Sequence, residues 1–368
     1  MDGALERYLE DLEARIDPAA EDELWAEWTR FVDGEIGEGI FSPRRTRRAT
    51  PGLAWPHVPV NDALESYDSM ALQQLAMCSR SLAQGTGEIL AVRCNYGTGI
   101  IPTLFGAELF VMDPETDTLP TAVPLGGIET TNLEDSLGRA DATKAAEAVK
   151  VLLDRGKPDL RTALGGRVFE MSEHYHNLFA DYPKTRTYVH IYHPDMQGPM
   201  DICELLWGSS LFLALVEAPD LVMQLLELVT ETYIAYMDAW TEMVPCNTDP
   251  SVHWSMAHKG KIMIRDDSAM NLSPRMFRRF IRPYDERLLQ TLGGGALHFC
   301  GRGDHYIASA STMEGLTAIN MSQPEYNDMD VIFDHTVDKD INIVGLPRGA
   351  AAAALAGGRD LRGRVHCW

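Results

Sequence analysis

The chain of 368 residues is long enough for one large α/β domain or two ordinary domains, and 45% hydrophobic with 23% charged residues is a globular composition. A formal net charge of −22 argues against nucleic acid as the main partner, because phosphate binding needs clustered Lys and Arg. The sequence shows no apolar membrane or signal segment and has six scattered cysteines, so we expect a cytoplasmic protein without membrane association.

The N-terminal part of the chain predicts helices followed by a long connection. Apolar residues recur at helical spacing over residues 5–31, which predicts one or two amphipathic helices. Residues 36–60 contain Gly, Pro and Arg with little periodicity and predict a loop. We therefore expect residues 1–60 to form a helical extension and residues 61–368 to form the main domain.

Beyond the extension, predicted helices and strands alternate. The predicted helices are 62–84, 141–155, 166–180, 200–214, 219–243, one that begins at Pro274 after the N-cap Ser273, and 303–314, 325–334 and 350–356. The predicted strands are 88–94, 108–112, 187–192, 261–265, 296–300, 316–321, 341–346 and 364–367. From about residue 187 the alternation favours a parallel sheet with crossover helices, and at this length an α/β fold of the (β/α)8 TIM-barrel type.

In such barrels the chemistry lies at the C-terminal ends of the strands. The predicted strand ends of this chain carry a ring of polar side chains, some of which can bind a metal. From this ring we expect the following residues to line a substrate site: Tyr96, His190, His193, Asn320, Gln323 and Arg348.

His298 and Cys300 are candidate metal ligands. On a strand over residues 296–300 they point to the same face, because side chains alternate with a period of two. Cys367 ends a later predicted strand, and two thiolates with one imidazole suit Zn²⁺ while leaving one coordination position open. The alternative is that Cys300 and Cys367 are small buried apolar residues and His298 is a satisfied core histidine.

Asp266 and Asp267 follow the predicted strand over residues 261–265 and are candidate catalytic residues. At a strand end this acidic pair could act as a general base, orient a metal ligand, or supply a fourth ligand. Equally, Asp267 could bond only the start of the next helix.

Three segments carry a resemblance to a known family. Residues Asp266–Tyr284 show an acidic pair, then Ser-Pro-x-x-Phe, then Pro-Tyr, and this order resembles the uroporphyrinogen decarboxylase superfamily. His298–Gly301 resembles the His-x-Cys-Gly strand of that superfamily, and Gln197–Pro199 resembles its Gly-Pro loop. The likeness covers roughly residues 85–368 and implies a TIM barrel, in agreement with the alternation of strands and helices.

The two branches of the superfamily differ in their chemistry. The decarboxylases resemble one another in an Arg-Gln-Ala-Gly-Arg-Tyr segment that holds the substrate's propionates, and residues 1–100 lack it; the arginines at 44–48 match neither its order nor its neighbours. The other branch, corrinoid-dependent methyltransferases of the methylcobamide:coenzyme M type, binds zinc through His-x-Cys and a later Cys. The resemblance implies zinc at His298, Cys300 and Cys367. Cys367 lies 69 residues after His298.

The function that this resemblance implies is methyl transfer. A zinc-dependent methyltransferase would move a methyl group between a corrinoid (cobalamin) on a partner protein and a small-molecule acceptor, either a thiol or tetrahydrofolate. Zinc would lower the pKa of an acceptor thiol, and Asp266 or Asp267 would take its proton or orient His298. Relatives often form homodimers. Two alternatives stay open: a uroporphyrinogen decarboxylase-like lyase, and a non-catalytic barrel that binds a corrinoid or tetrapyrrole.

Overall fold

The computed structural model describes residues 4–127, 142–245 and 249–368. Within these ranges the helices are α1 Ala4–Arg15, α2 Pro18–Val32, α3 Val60–Glu65, α4 Tyr67–Gln84, α5 Ile100–Leu104, α6 Ala142–Arg155, α7 Ala163–Phe179, α8 Pro183–Tyr188, α9 Pro199–Trp207, α10 Leu211–Glu217, α11 Pro219–Met243, α12 Pro274–Phe280, α13 Arg282–Leu292, α14 Ile307–Ala310, α15 Met329–His335 and α16 Arg348–Ala356. The strands are β1 Ile40–Phe41, β2 Ala91–Val92, β3 Glu108–Phe110, β4 Thr121–Val123, β5 His190–Ile191, β6 Ser251–His253, β7 Met256–His258, β8 Ile262–Arg265, β9 Gly295–Phe299, β10 Leu316–Met321, β11 Asn342–Ile343 and β12 Val365–His366.

The fold is mixed α/β with a mostly parallel sheet. Six strands pair side by side in the order β1-β12-β11-β10-β9-β8, and each adjacent pair is parallel. β2 and β5 form a separate parallel pair, while β3–β4 and β6–β7 are antiparallel hairpins. Helices separate most of the successive parallel strands, as the alternation in the sequence predicts.

The closed eight-stranded barrel is only partly observed, because backbone pairing among the described strands divides into the sheet of six and the pair of two. The imidazole of His193, just after β5, accepts the backbone N–H of Met263 in β8 at 3.0 Å. A neighbouring strand's carbonyl would otherwise occupy that place. The only backbone bond here joins Gly198 N to Arg265 O at 2.7 Å, so a side chain replaces part of the ladder between β5 and β8.

The strands nevertheless face a common interior. One hydrophobic cluster takes a residue from each of five parallel strands: Phe41, Ala91, Met263, Ala296 and Ala318. The alanines leave room that large side chains of α2 and of the β6–β7 hairpin fill, namely Trp28, Phe31, Val252 and Met256. The alternate strand residues, such as Ile264 and Leu297, belong to a second cluster together with the helices.

The segment predicted to be a loop over residues 36–60 differs from that prediction. Ile40–Phe41 forms β1, which pairs with the last strand, β12. Two apolar residues are too few for periodicity to reveal a strand. The predicted extension therefore contributes the strand β1 to the main sheet, and Trp28 of α2 to the hydrophobic cluster that the strands face.

Other predicted elements are shorter than expected or are divided. The strand predicted over residues 187–192 is the end of α8 followed by the two-residue β5, because Pro183 starts a helix that runs to Tyr188. The helix predicted over residues 200–214 breaks at Gly208, whose φ is +81°. The strand predicted over residues 88–94 contains only β2.

Several boundaries agree with the sequence. α11 runs from Pro219 to Met243, and α12 begins at Pro274 with the Ser273 side chain accepting a hydrogen bond from the N–H of Met276. The helix predicted over residues 141–155 is observed as α6, while residue 141 lies outside the described residues. Cys246 lies outside them too, and the other five cysteines are free thiols.

Among the described helices, no single one is both long and apolar enough to cross a membrane. Only α9 and α10 together, which are bent by 103°, meet that test of length and composition.

Gly198 should be needed for the packing of β8. A Cβ at this position would lie 2.5 Å from Asp266 Oδ1 and 2.7 Å from Arg265 O. We expect Gly198→Ala to lower the free energy of unfolding by about 1–3 kcal/mol, as overpacking does. Gly349→Ala is the control, since no heavy atom lies within 4 Å of that Cβ. Equal urea midpoints for the two variants would contradict this account.

Candidate functional site

The candidate site lies where β8, β9 and β10 end side by side. Parallel pairing sets Arg265 opposite His298, and His298 opposite Asn320. Because the three strands are parallel, their C-terminal ends meet at one edge, and the residues that follow them share that edge. The strand pairing therefore brings Asp267 and Cys300 to the same place as His298.

The tautomer of His298 is set by Asn320. The amide nitrogen of Asn320 donates to Val344 O at 2.6 Å, so its Oδ1 must face the imidazole. The Nδ1–H of His298 donates to that Oδ1 at 2.6 Å, which makes Nε2 the acceptor nitrogen, on the side of Cys300. Burial lowers the pKa of His298 and favours this neutral form.

Cys300 directs its thiol at His298. The sulfur lies 3.4 Å from His298 Nε2 and 3.5 Å from the hydroxyl of Ser322. The backbone N–H of Cys300 donates to Asp267 Oδ1 at 2.8 Å, which fixes the carboxylate beside the thiol. Burial, with Asp267 adding to it, raises the pKa of the Cys300 thiol to about 11.

Asp267, His298 and Cys300 form a group whose donor atoms all lie within 4.8 Å of one another. His298 Nε2 is 3.7 Å from Asp267 Oδ1 and 3.4 Å from the Cys300 sulfur. Tetrahedral zinc with bonds of about 2.0–2.3 Å needs donor atoms roughly 3.3–3.8 Å apart. The two spacings from His298 Nε2 lie in this range, and the nitrogen–oxygen–sulfur donor set suits Zn²⁺.

Two neighbouring side chains hold the loops of this group. Gln323 Oε1 accepts the N–H of Gly301 at 2.6 Å and so fixes the loop after Cys300. Asp201 of α9 accepts the N–H groups of Asp267 and Ser268, each at 2.8 Å, and anchors the turn that carries Asp267. Interactions of this kind orient metal ligands and limit their motion.

The sequence analysis did not identify Trp254, which packs edge-on against His298 with ring centroids 4.9 Å apart. Trp254 and Ser255 form the two-residue turn of the β6–β7 hairpin, and both have positive φ values, +47° and +60°. Such turns usually use Asn-Gly, and its absence here hid the hairpin. Non-glycine residues in this conformation store strain, which is common at functional sites.

Arg265 lies behind Trp254, with its guanidinium 4.6 Å from the Trp254 ring centroid. This buried cation forms an ion pair with Asp195, which also pairs with Arg93 after β2. His253 contacts the same guanidinium at 2.6 Å. No sequence motif marks either Asp195 or Arg265.

Asp266 and Asp267, predicted to act as a pair, separate. Asp266 continues the strand and faces the helices, where it is fully buried beside Asp285 of α13. Burial raises the pKa of Asp285 to about 7 and that of Asp266 well above the usual range, and the neighbouring Asp285 carboxyl adds to the shift of Asp266. Of the two, only Asp267 reaches His298, and the catalytic role predicted for Asp266 stays a prediction.

Cys367 does not join the group formed by Asp267, His298 and Cys300. It follows β12, three strands away from β9 in the sheet, and its N–H donates to Phe41 O at 3.0 Å. Arg348 lies near this end of the chain, where it bonds the Ser42 hydroxyl and Trp368 O. Asp267 lies beside His298 and Cys300 instead, and the ligand role predicted for Cys367 stays a prediction.

The other predicted substrate residues are dispersed. Tyr96 is fully buried under the guanidinium of Arg167, which lies 4.9 Å from its ring centroid. His190 stacks on Trp25 with centroids 4.9 Å apart. His193 spans β5 and β8, while Asn320 and Gln323 hold the candidate metal group as described above.

No protein-family model matches the chain, and no curated protein matches its sequence. Among solved structures, the fold is similar to that of a methyltransferase from Methanosarcina mazei. The TM-score is 0.55 at 17% sequence identity, over 94% of this chain and 92% of that chain. At this identity the likeness concerns the fold alone.

The buried Asp266–Asp285 pair should make stability depend on pH. Burial raises the pKa of Asp285 from 3.8, the usual value for an aspartate in water, to about 7, so between these values the folded protein binds more protons than the unfolded chain. Stability therefore falls as pH rises through this window. We expect a smaller fall between about pH 4 and pH 8 in Asp285→Asn, measured by urea unfolding.

The exposed Asp238 of α11 provides the control, because Asp238→Asn changes a carboxylate in contact with solvent. The free energy of unfolding of this variant should depend on pH as that of the wild type does. A wild-type free energy of unfolding that rises across the same window would contradict the assignment.

Proposed function

We propose that this protein is a zinc-dependent methyltransferase that moves a methyl group between a corrinoid on a partner protein and a small-molecule acceptor, a thiol or tetrahydrofolate. The observation that carries the proposal is the group of Asp267, His298 and Cys300, with the Nε2 lone pair of His298 directed at the other two donors. The fold likeness to a protein named a methyltransferase supports the reaction class.

Each residue has a separate task in this proposal. His298 Nε2, the Cys300 sulfur and one oxygen of Asp267 would hold Zn²⁺ and leave the fourth tetrahedral position for the acceptor. Bound zinc supplies a lowered pKa for an acceptor thiol, which then exists as the thiolate at neutral pH. Asn320 keeps the imidazole neutral and oriented, and Trp254 covers one side of the ring.

The proposed reaction transfers a methyl group from the corrinoid to the acceptor. A methylated corrinoid would supply the methyl group to an acceptor thiolate held beside His298, Cys300 and Asp267: the carbon–sulfur bond would replace the carbon–cobalt bond, whose electron pair would stay on the corrinoid. Because Asp267 serves as a ligand, the thiol proton passes to solvent, which reaches the exposed side of this carboxylate.

The decarboxylase alternative receives less support from the charges of the chain. Of the arginine cluster, Arg45 is buried and binds Glu21 through two hydrogen bonds of 2.6 and 2.7 Å. Arg47 lies 3.6 Å from Asp17. An arginine paired within the protein, as Arg45 is, does not supply a fixed cation for a polycarboxylate.

A thiol nucleophile is a second candidate, because Cys300, His298 and Asn320 follow the order of a Cys-His-Asn triad. Two features disfavour it. The pKa of Cys300 is raised to about 11, and the nearby N–H groups that could stabilise an oxyanion are already bonded, Cys300 N to Asp267 and Gly301 N to Gln323.

Metal analysis of the purified protein tests the ligand set. We expect about one zinc per chain, lost in His298→Ala and Cys300→Ala and weakened about 10–100-fold in Asn320→Leu, which removes the partner of Nδ1. Zinc affinity is measured by competition with a chromogenic chelator. Wild-type protein that binds no zinc under these conditions would overturn the proposal.

A second pair of variants separates the structural ligand set from the set implied by the sequence. Asp267→Asn keeps an oxygen for the Cys300 N–H but removes the anionic ligand, so we expect zinc affinity to fall. Cys367→Ser should keep the zinc affinity of the wild type, because Cys367 lies outside the group. The reverse result would assign the third ligand to Cys367.

Methyl transfer itself is tested by demethylation of methylcobalamin with a panel of thiols and with tetrahydrofolate. We expect the corrinoid spectrum to change with one acceptor class and the rate to fall at least about 100-fold after zinc removal. Turnover by metal-free protein would exclude the zinc mechanism. Coproporphyrinogen formed from uroporphyrinogen would establish the decarboxylase instead.

A further inference from the structure

A cavity of about 700 Å³ lies beside the end of β2, outside the candidate metal group. Its walls are the connection that includes Trp55, one face of α4, and the residues Arg93 and Asn95 that follow β2. The α4 residues Gln73, Met77 and Arg80 line it at helical spacing, so they share one face of the helix. This volume is typical of a small-molecule site.

The inner end of the cavity carries an excess of positive charge. Arg93 lines the wall and pairs with Asp195, but the same carboxylate also pairs with the buried Arg265. Two guanidinium groups therefore share one carboxylate. Burial lowers the pKa of the neighbouring His253, so this imidazole stays neutral and adds no charge.

One further arginine lies at the opening of the cavity. Arg80 is exposed, lines the opening and has no carboxylate within salt-bridge distance among the described residues. The one acidic lining residue, Asp117, lies 2.9 Å from His57 and accepts the N–H of Val60. In a chain of net charge −22, this local surplus of cations selects an anionic ligand.

Asn95 contributes a buried polar atom without a partner. Only 7% of this residue is exposed, and its Oδ1 makes no hydrogen bond, while its Nδ2 lies 3.5 Å from Gln73 Oε1. A buried unpaired oxygen costs free energy that a ligand N–H or O–H recovers. Arg93 and Asn95 lie two residues apart on the same wall, which places this acceptor beside the cationic end.

The remaining walls are apolar. The indole of Trp55 is fixed by its N–H bond to Asp11 at 3.0 Å, and Pro56 continues the surface beside it. Met77, which is 51% exposed, also lines the cavity. A lining that includes a rigid indole and an adaptable thioether suits a ligand with a flat apolar group.

We propose that this cavity binds a small organic anion that combines a flat apolar body, a negative group for Arg93 and Arg80, and an N–H or O–H donor for Asn95. The site is defined by residues that are separate from Asp267, His298 and Cys300, and it does not depend on the proposed zinc chemistry. The ligand chemistry follows from the wall: the cations hold the charge, the unpaired oxygen accepts the donor, and the indole covers the ring.

The dye 8-anilinonaphthalene-1-sulfonate is a suitable probe, since it carries a sulfonate beside an anilino N–H on fused rings. We expect saturable binding to one site per chain by fluorescence titration. Arg80→Ala should lower the affinity for this anionic dye about fivefold, which corresponds to the loss of an exposed ion pair. Its affinity for the neutral N-phenyl-1-naphthylamine should stay within about twofold of the wild-type value. Asn95→Leu should lower the affinity for both dyes about tenfold, because it removes the oxygen that accepts the N–H of each dye.

Arg275→Ala is the matched control, since Arg275 is an exposed α12 arginine outside the cavity and its loss should leave both affinities unchanged. Cys300→Ala should also bind the dyes as the wild type does, which separates this test from that of the zinc site. Binding without saturation at one equivalent, or affinities for the anionic dye that are equal in wild type and Arg80→Ala, would overturn the proposal. The Arg80 comparison holds even if Asn95→Leu does not fold.

Discussion

The ion pair between Arg265 and Asp195 is the constraint on which both candidate sites depend. Arg265 is nearly inaccessible to solvent, so its charge must be met inside the protein, and Asp195 meets it together with that of Arg93. This joins the ends of β2, β5 and β8, where backbone pairing is incomplete. Through Trp254 the same guanidinium supports His298, and through Arg93 it sets the charge of the neighbouring cavity.

Strand alternation explains the separate fates of the acidic pair. Arg265 and Asp267 face the interior of the sheet, whereas Asp266 between them faces the helices and meets Asp285. The same alternation directs His298 and Cys300 to one face. Chemistry is thereby confined to one side of the strands, and the carboxyl pair on the other side forms part of the packing with α13.

The sequence predicted much of the fold and the central pair of the site. Spacing of two on a buried strand was sufficient for His298 and Cys300, and Pro219 and Ser273–Pro274 fixed helix starts locally. It did not predict Trp254 or β1. The Trp254 turn lacks the usual residues, and β1 is a strand only because β12 lies beside it.

By itself, then, the sequence determined the α/β alternation, the strand that carries His298 and ends just before Cys300, and the acidic residues one strand earlier, because each rests on local periodicity or capping. Only the tertiary structure decided that Asp267 lies with His298 and Cys300 while Cys367 lies apart, and that Asn320 sets the imidazole tautomer. Those choices depend on which strands are neighbours and in which register they pair, and neither property is encoded in the spacing of residues along one strand.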